Sequence, residues 1–526
     1  MMPPLVEADG FGLALPGAGR LLGALDFKIA TGERVGWTGE SGSGKTLLAS
    51  CLLGLQPAGA ELSGTLRFAG RRLQFLSSRE WRRLRGGEVA MIFQDPTASL
   101  NPVRPVGAQL LEIARRHRFR QRAAARRYCL EVLEKLAFDD PAAVYRTYPH
   151  RLSGGQQQRI LIAMAMICRP RLAILDEPSA ALDGLTRARL LAQMHELHEQ
   201  HGTTLWLISH DLGLLAGVCD RLFVIYRGRL MEDAPAGELL ARPSHPYSRL
   251  LAAARPRLPD STGCDPAVPA LAQSLALAAT PPAQRSAGCP YAPRCALADE
   301  RCQREMPEAA TFPTPGIPGR RRVACFHPWS AMGDAGASVG AAGRWPSSVR
   351  DAATVDDGPG DSAEPGDPRH GELLAVRGLR ARHPGTGSEA LKAVDFTLMP
   401  GEILGVTGVS GAGKSTLARA LFGLVPVTGG DLLWHGKPLA PAAFHRVAQL
   451  LWQHPGAALD PRLTAGRSIG EALSVAGLPG EPVARRVDEL LSAVQLETAV
   501  AGRYPHQLSI GQRARVTIAR ALAAEP

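Results

Sequence analysis

The sequence predicts an α/β fold made of two tandem domains, of which the second is incomplete. The chain has 526 residues, which is too many for one hydrophobic core. Short apolar segments with the composition of strands alternate with helical patterns, as in parallel sheets that are covered by helices. Three motifs recur in the same order about 360 residues further along the chain, which indicates an internal duplication.

Composition narrows the class of protein. Hydrophobic residues make up 45% of the chain and charged residues 21%, which is ordinary for a globular protein. The formal net charge of +11 suits nucleotide phosphates, nucleic acid or an anionic membrane surface as partners. No apolar run approaches the ~18 residues of a spanning helix, and the start, MMPPLVEADG, lacks the pattern of a secretory signal. We therefore expect a cytoplasmic chain whose membrane partners are separate polypeptides.

A phosphate-binding loop follows the predicted strand Arg34–Thr38 and precedes a helical run. It has the form G-x-x-x-x-G-K-[ST], in which glycine backbone N–H groups wrap the phosphates and the helix N-terminus adds a favourable dipole. The lysine reaches the β- and γ-phosphates, and the hydroxyl of the last residue can ligate Mg²⁺. The residues of this first P-loop are Gly39, Glu40, Ser41, Gly42, Ser43, Gly44, Lys45 and Thr46.

An apolar strand that ends in two carboxylates predicts the second part of a metal–phosphate site. The segment Leu172–Leu175 runs directly into Asp176 and Glu177. The end of a rigid strand can present Asp176 to Mg²⁺ and Glu177 to a water molecule. Two further polar residues, Gln94 and His210, each follow a predicted strand.

In this order the motifs resemble those of ABC-type ATPases. The string LSGGQ followed by ILDEPSAALD resembles the signature, Walker B and D-loop of that family, and IFQDPTASLNP resembles its peptide- and nickel-importer branch. The resemblance implies tandem P-loop NTPase domains, each with a helical subdomain, that bind ATP and Mg²⁺. The signature residues are Ser153, Gly154, Gly155 and Gln156. The catalytic residues that the resemblance implies are Lys45, Gln94, Glu177 and His210, and the Mg²⁺ ligands are Thr46, Gln94, Asp176 and, in the second domain, Ser415.

The motifs restart in the second half of the chain. A strand is predicted at Ile403–Thr407, and Gln453 corresponds to Gln94. The second P-loop consists of Gly408, Val409, Ser410, Gly411, Ala412, Gly413, Lys414 and Ser415. The resemblance implies head-to-tail pairing of ABC domains, in which each ATP lies between the P-loop of one domain and the signature of the other.

The second copy departs from the first in two ways. Its signature contains Ser509 and Gly511 but has Ile510 in place of Gly154, so a side chain lies where backbone approaches phosphate. The sequence ends at Pro526, before a second Walker B strand. We therefore expect the second domain to lack Walker B, the catalytic glutamate, the D-loop and the switch histidine, and to close its core poorly.

Four cysteines cluster after a His-Pro-Tyr motif at 245–247 that resembles the tail of the peptide-importer ATPases. They are Cys289, Cys295, Cys302 and Cys325, and their spacing is not the C-x₂-C pairing of a zinc ribbon. Three interpretations stay open, namely an iron–sulfur cluster, a zinc ion and unligated thiols. The resemblance favours the cluster.

The predicted domains are a first ABC ATPase domain at 1–255, an extension with the cysteine cluster at 256–330, a flexible linker at 331–370 and the second ABC domain at 371–526. Residues 106–148 combine helical spacing with a basic face, which is either a solvated helical surface or a face near acidic headgroups. The family that the motifs resemble has an aromatic upstream of the P-loop that stacks on adenine. The first copy departs from it, with Leu15 near that place and Phe11 a few residues earlier, whereas His383 lies near that place in the second copy and offers an imidazole that could stack.

These features predict an ATP-hydrolysing subunit that drives import of peptides, nickel or a related solute. Its partners would be membrane permease subunits and, indirectly, a solute-binding protein, at the cytoplasmic face of the inner membrane. One alternative is a soluble tandem ABC protein that acts on nucleic acid or ribosomes, although such proteins join their domains by a charged helical linker; nucleic acid is therefore not expected. The other alternative is a non-functional relic, since the second domain is truncated.

Overall fold

Two β-sheets organise Met1–Ala352, the first of two structural units, and a third sheet belongs to the second unit, Ala353–Pro526. The computed structural model describes residues 4–17, 19–93, 99–136, 138–178, 184–254, 288–314, 317–328, 372–382, 389–408, 412–452, 458–476 and 483–526.

The strands of the first unit are, in chain order, β1 (Val6–Leu15), β2 (Gly19–Ile29), β3 (Arg34–Thr38), β4 (Glu61–Phe68), β5 (Arg71–Arg72), β6 (Val89–Ile92), β7 (Leu172–Asp176), β8 (Thr204–Ile208), β9 (Arg221–Tyr226), β10 (Arg229–Pro235), β11 (Ala310–Thr314) and β12 (Ile317–Val323). Its helices are α1 (Lys45–Leu52), α2 (Ser78–Leu84), α3 (Val106–His117), α4 (Arg122–Lys135), α5 (Pro141–Arg146), α6 (Gly154–Ile167), α7 (Gly184–His201), α8 (Leu212–Val218), α9 (Ala236–Ala241), α10 (Pro246–Ala253) and α11 (Glu300–Arg304).

The larger sheet has the order β11-β12-β10-β9-β3-β8-β7-β6 and is parallel from β9 to β6. Register pairs Trp37 with Ile208, and Ile208 with Asp176. The ends of β3, β7 and β8 therefore meet at one edge, where parallel α/β sheets bind their ligands. Strands β11 and β12 extend the sheet beyond β10, at the end of the strand order away from β6, because Val323 of β12 pairs with Glu232 of β10.

A stack of aromatic rings joins this sheet to the smaller antiparallel sheet, β2-β1-β4-β5. Trp37 lies between Trp206 and Phe223, with ring centroids 5.0 and 4.6 Å away. Phe27 of β2 meets Trp37 edge-on at 5.0 Å. All four rings are fully buried, so the apolar face beneath the P-loop strand is tightly packed.

Helices α3 to α5 form the predicted helical subdomain. Leu110 and Ala114 of α3 are completely buried, whereas Arg115 and Arg116 are exposed. Arg126 on α4 is also exposed, so the basic face is solvated. Among the described residues, no helix combines the length and apolarity that crossing a membrane requires.

The second unit repeats the smaller sheet of the first. Its sheet order is β14-β13-β15-β16, which corresponds to β2-β1-β4-β5. Strand β13 pairs antiparallel with β14 and β15, as β1 does with β2 and β4. The strands are β13 (Leu374–Arg382), β14 (Glu389–Leu398), β15 (Val427–Trp434) and β16 (Lys437–Pro438). The helices are α12 (Lys414–Leu421), α13 (Ala465–Ala476), α14 (Val483–Ala493) and α15 (Ile510–Leu522).

The strand predicted at Ile403–Thr407 is wrong, because this segment is irregular and Ile403 is 98% exposed. The reason is the strand order of the first unit, in which β3 pairs with β8 and β9, and β6 pairs with β7. All of these partners follow the signature helix along the chain. The described strands of the second unit include no counterpart of β7, β8 or β9, so they offer no such partner. The irregular segment 448–452 corresponds to β6 and likewise has no partner among the described residues.

Hydrogen exchange tests this explanation. We expect the amides of residues 403–407 and 448–452 to exchange at nearly the rate of an unfolded chain, because no strand in the described part of the chain pairs with them. The amides of β3 and β6 should be protected more than about 10³-fold, since they open only with the sheet. Mass spectrometry of peptic peptides gives both values from one sample, with β13 as the paired control in the second unit. Equal protection of 403–407 and β3 would contradict the explanation.

Candidate active site

The first P-loop connects β3 to α1, and geometry requires two of its glycines. Gly39 has a φ of 146°, and a Cβ there would lie 2.0 Å from the carbonyl oxygen of Ile225. Gly44 caps α1 with a φ of 100°, and its Cβ would lie 2.6 Å from the side chain of Leu22. Any side chain at these positions would strain the loop. Backbone atoms of both glycines therefore line the cavity.

The Lys45 amine is held beneath this loop. Its Nζ donates to the carbonyl oxygens of Gly39 and Glu40 at 2.8 and 2.9 Å and to Ser43 Oγ at 3.2 Å. Burial lowers the pKa of Lys45 below its ordinary value, although neighbouring carboxylates oppose the shift. A phosphate group in the cavity would supply the anionic partner that favours the charged amine.

Thr46 and Asp176 form the oxygen pair that the sequence predicts for a metal. Thr46 Oγ1 donates to Asp176 Oδ2 at 2.7 Å, and Asp176 is 2% exposed. Burial raises the pKa of Asp176, and the Thr46 hydrogen bond and the Lys45 charge offset this only in part. A divalent cation would stabilise the buried carboxylate. Hydroxyl and carboxylate oxygens are ligands that suit Mg²⁺, so this pair fits the ion.

Glu177 follows β7 in a constrained backbone conformation. Its φ is 49°, which is uncommon for a residue with a side chain, and its N–H donates to the carbonyl oxygen of Ile208 at 2.9 Å. The backbone N–H of His210 donates to Glu177 Oε1 at 3.1 Å, and His210 Nδ1 lies 2.9 Å from Oε2. The Glu177 side chain is 12% exposed and that of His210 is 73% exposed. The carboxylate is therefore fixed, whereas the imidazole faces the opening.

A cavity of about 670 Å³ contains these groups. It is lined by five predicted residues from three distant parts of the sequence, namely Lys45, Thr46, Asp176, Glu177 and His210. Its apolar lining consists of Leu21, Leu47, Leu55 and Pro57, so the described lining residues include no Phe, Tyr or Trp ring. Phe11 is buried in the core beneath, Leu15 does not line the cavity, and His383 lies outside the described residues.

Both signature helices begin in the same way. Ser153 caps α6, accepting from the Gln156 N–H at 3.3 Å while the Gln156 side chain accepts from the Ser153 N–H at 3.0 Å. Ser509 and Gln512 form the same capping box on α15. No atom lies within 4 Å of an added Cβ at Gly154 or Gly511. The helix N-termini therefore have free space beside them, and Ile510 does not prevent the cap.

The second P-loop is described in part. Lys414 Nζ donates to the carbonyl oxygen of Gly408 at 2.6 Å, as Lys45 does to Gly39, and Gly413 caps α12 with a φ of 96°. Ala412 and Ser415 complete its described residues. Several predicted residues lie outside the described ones, namely Gln94, Val409, Ser410, Gly411, Gln453 and the D-loop from Ser179 to Asp183.

The four clustered cysteines line one small pocket, together with His245 of the His-Pro-Tyr motif. None of them is in a disulfide. Burial raises the pKa of Cys289, Cys295 and Cys325, whereas backbone N–H groups two or three residues further along lower it by hydrogen bonding to the thiols. The structure thus gathers the predicted cysteines, whose sulfur atoms suit a thiolate-bound metal.

Two residues near the P-loop were missed by the sequence analysis. The hydroxyl of Tyr247 accepts a hydrogen bond from the Glu40 N–H at 2.7 Å, and Arg294 Nη1 donates to Glu40 Oε1 at 2.6 Å. The His-Pro-Tyr motif was recognised, but nothing in its spacing relates Tyr247 to Glu40. Arg294 lies 254 residues from Glu40 in the chain, so only the fold brings them together.

Comparison with known proteins extends these findings. Residues 22–180 and 391–526 match the family model of the ABC transporter, and residues 231–302 match that of the oligopeptide/dipeptide transporter C-terminal region. The chain is 36% identical to the glutathione import ATP-binding protein GsiA of Pectobacterium atrosepticum, over 95% of this chain and 72% of that protein. It is 33% identical to the oligopeptide transport ATP-binding protein OppD of Mycobacterium tuberculosis, over 100% of this chain and 85% of that protein.

A solved structure, cbiO1 of Clostridium perfringens, aligns with a TM-score of 0.41 and 24% identity, over 46% of this chain and 92% of that one. The two matches to one family model agree with the duplication that the sequence predicts. ABC ATPases bind ATP with Mg²⁺. The chain belongs to the ABC transporter ATP-binding proteins, within the oligopeptide and dipeptide importer family.

Proposed function

We propose that this chain hydrolyses ATP in its first domain and thereby drives import of a peptide-class solute through a separate membrane permease. The observation that carries the proposal is the convergence of Lys45, Asp176, Glu177 and His210 on one cavity. The P-loop would hold the phosphates, and Lys45 would place a cation beside the phosphoryl group that is transferred.

Glu177 would orient and polarise the attacking water. The backbone N–H of His210 donates to its carboxylate and fixes it, and Glu177 lines the cavity. His210 would contact the γ-phosphate, since its imidazole is exposed at the same wall. Thr46, Asp176 and Gln94 would hold Mg²⁺ in the first domain, and Ser415 is proposed as a ligand of a separate Mg²⁺ at the second P-loop. When bound, this ion neutralises charge on the phosphate oxygens.

The signature residues are proposed to act on a nucleotide that another ABC domain holds. Ser153, Gly154, Gly155 and Gln156 lie at the start of α6, where the backbone N–H groups outside the capping box and the helix dipole favour an anion. Ser509 and Gly511 offer the same arrangement on α15. The open space at Gly154 and Gly511 supports close approach of phosphate oxygens.

Import rather than a nucleic-acid function is supported by the extension. The His-Pro-Tyr motif and the cysteine pocket pack onto the nucleotide domain, and the relatives with this region are named for glutathione and oligopeptide transport. We propose permease subunits as direct partners and a solute-binding protein as an indirect one. The chain would then work at the cytoplasmic face of the inner membrane.

We further propose that Cys289, Cys295, Cys302 and Cys325 hold an iron–sulfur cluster. Four thiols share one pocket, and backbone N–H groups hydrogen-bond to three of them, although burial dominates and raises the pKa of each of these thiols. Hydrogen bonds of this kind tune cluster sulfurs. The cluster would support the fold of the extension, which has few helices and strands of its own among its described residues.

Replacement of Glu177 tests the hydrolytic role. Glu177→Gln should retain ATP binding but lower kcat by about 10²–10⁴-fold, because an amide cannot act as the base. Steady-state phosphate release and nucleotide binding should be measured on the same preparation. Glu134→Gln, at an exposed position on α4, is the control and should change neither. Unchanged hydrolysis in Glu177→Gln would remove Glu177 from this role.

The two P-loop lysines should differ in their effect. Lys45→Ala should lower kcat by about 10²–10³-fold, because it removes a cation from the site that contains Glu177. Lys414→Ala should leave measurable hydrolysis, since the described residues of the second unit include no counterpart of Glu177. ATPase rates at several protein concentrations also show whether first domains of separate chains pair. Complete loss in both variants would contradict the asymmetry.

Metal analysis tests the cysteine proposal. Protein purified without oxygen should contain iron and sulfide, and Cys302→Ser should lose most of both because one ligand is missing. Cys168→Ser is the matched control, since this cysteine lies outside the pocket. Zinc without iron, or no metal, would refute the cluster.

A further inference from the structure

The C-terminal extension contacts the P-loop directly, and Glu40 is the point of contact. Glu40 is the one residue from Gly39 to Thr46 that does not line the cavity. Its carboxylate is paired with Arg294 at 2.6 Å, and its backbone N–H donates to the Tyr247 hydroxyl at 2.7 Å. Both the charge and the backbone of this position are therefore held by residues outside the ATPase motifs.

Glu40 needs such a partner because of its charge. It places a carboxylate in a loop that receives a triphosphate, and like charges disfavour binding. Its carbonyl oxygen also accepts from Lys45 Nζ at 2.9 Å, so a shift of the Glu40 backbone moves the lysine. Arg294 neutralises the carboxylate and holds it away from the cavity.

A buried group of tyrosines fixes Arg294. The rings of Tyr226, Tyr247 and Tyr291 lie 4.7 to 5.4 Å from one another, and each is less than 5% exposed. Arg294 Nη1 also donates to the Tyr226 hydroxyl at 3.3 Å, and its side chain is 13% exposed. The guanidinium thus has little freedom to leave Glu40.

Arg294 is also tied to the cysteine pocket by the backbone. It lies between Cys289 and Cys295, and its N–H donates to the Tyr291 carbonyl oxygen at 2.9 Å in a single helical turn. Any rearrangement of the pocket therefore moves the residue that holds Glu40.

We propose that Arg294 of the extension and Tyr247 of the His-Pro-Tyr motif that precedes it are positioning residues for ATP binding, through which this C-terminal region sets the affinity of the P-loop. The proposal rests on the ATPase function of the first domain. The proposal gives the extension a role in nucleotide binding, which is separate from the proposed metal binding by its cysteines. When Arg294 alone is replaced, the Tyr247 hydroxyl still holds the Glu40 backbone and with it Lys45, and Glu177 and His210 have no contact with Arg294, so affinity should change and the chemical step should not.

A double-mutant cycle on the full chain tests Arg294. Arg294→Met should raise the Kd for MgATP, and the KM for ATP with it, by about three- to tenfold, because a partly exposed ion pair contributes a modest free energy. The kcat should stay within about twofold of the wild-type value. In the Glu40→Gln background the same change should raise Kd less than about twofold, because the charge is absent. Arg304→Met, an exposed arginine of α11, should leave Kd unchanged.

Tyr247→Phe keeps the ring and removes only the hydroxyl, so it separates positioning from packing. We expect a higher Kd for MgATP with an unchanged melting temperature and an unchanged metal content. An equal loss of affinity for Arg294→Met in both backgrounds, or no loss in either, would overturn the proposal. Wild-type protein that fails to bind MgATP would overturn the proposed function and this inference together, whereas normal wild-type binding with insensitive variants would overturn the inference alone.

Discussion

The order of the parallel strands is the constraint on which the rest of the structure depends. Strand β3 carries the P-loop and β7 carries the carboxylates, and β8 pairs with both. Residues that are more than a hundred positions apart along the chain therefore meet at one edge, where Thr46 and Asp176 share a hydrogen bond. The aromatic stack of Trp37 and Trp206 packs β3 against β8 beneath this edge, so the site has a rigid base.

The same order accounts for the difference between the two units. The antiparallel sheet forms in both, because its strands precede or closely follow the P-loop helix along the chain. Among the described residues the parallel strands form only in the first unit, where β3 and β6 pair with strands that come after the signature helix. Ile403, Leu404 and Val406 have the composition of a buried strand and lie exposed. The strand propensity of a residue reflects how its side chain packs against neighbouring strands, so it does not produce a strand where no neighbouring strand is present.

Much of the site could be predicted from the sequence because its signals are local. The P-loop before α1 and the strand that ends in Asp176 each depend on a few consecutive residues, and both have the predicted form. The prediction failed at Ile403–Thr407, where structure depends on residues far along the chain. It also missed the link from Arg294 to Glu40, since no spacing rule connects an extension to a loop 254 residues earlier.

The extension joins the larger sheet at its edge, and this position bears on how the extension can change in evolution. Strand β12 adds beside β10, outside the parallel strands, so such a segment can be acquired or lost in evolution while the ATPase core keeps its architecture. The pairing of Arg294 with Glu40 limits that freedom. A lineage that discards the extension leaves a carboxylate without a counter-charge in its P-loop, and selection should then favour a neutral residue at position 40. The two segments are thus expected to change together among descendants.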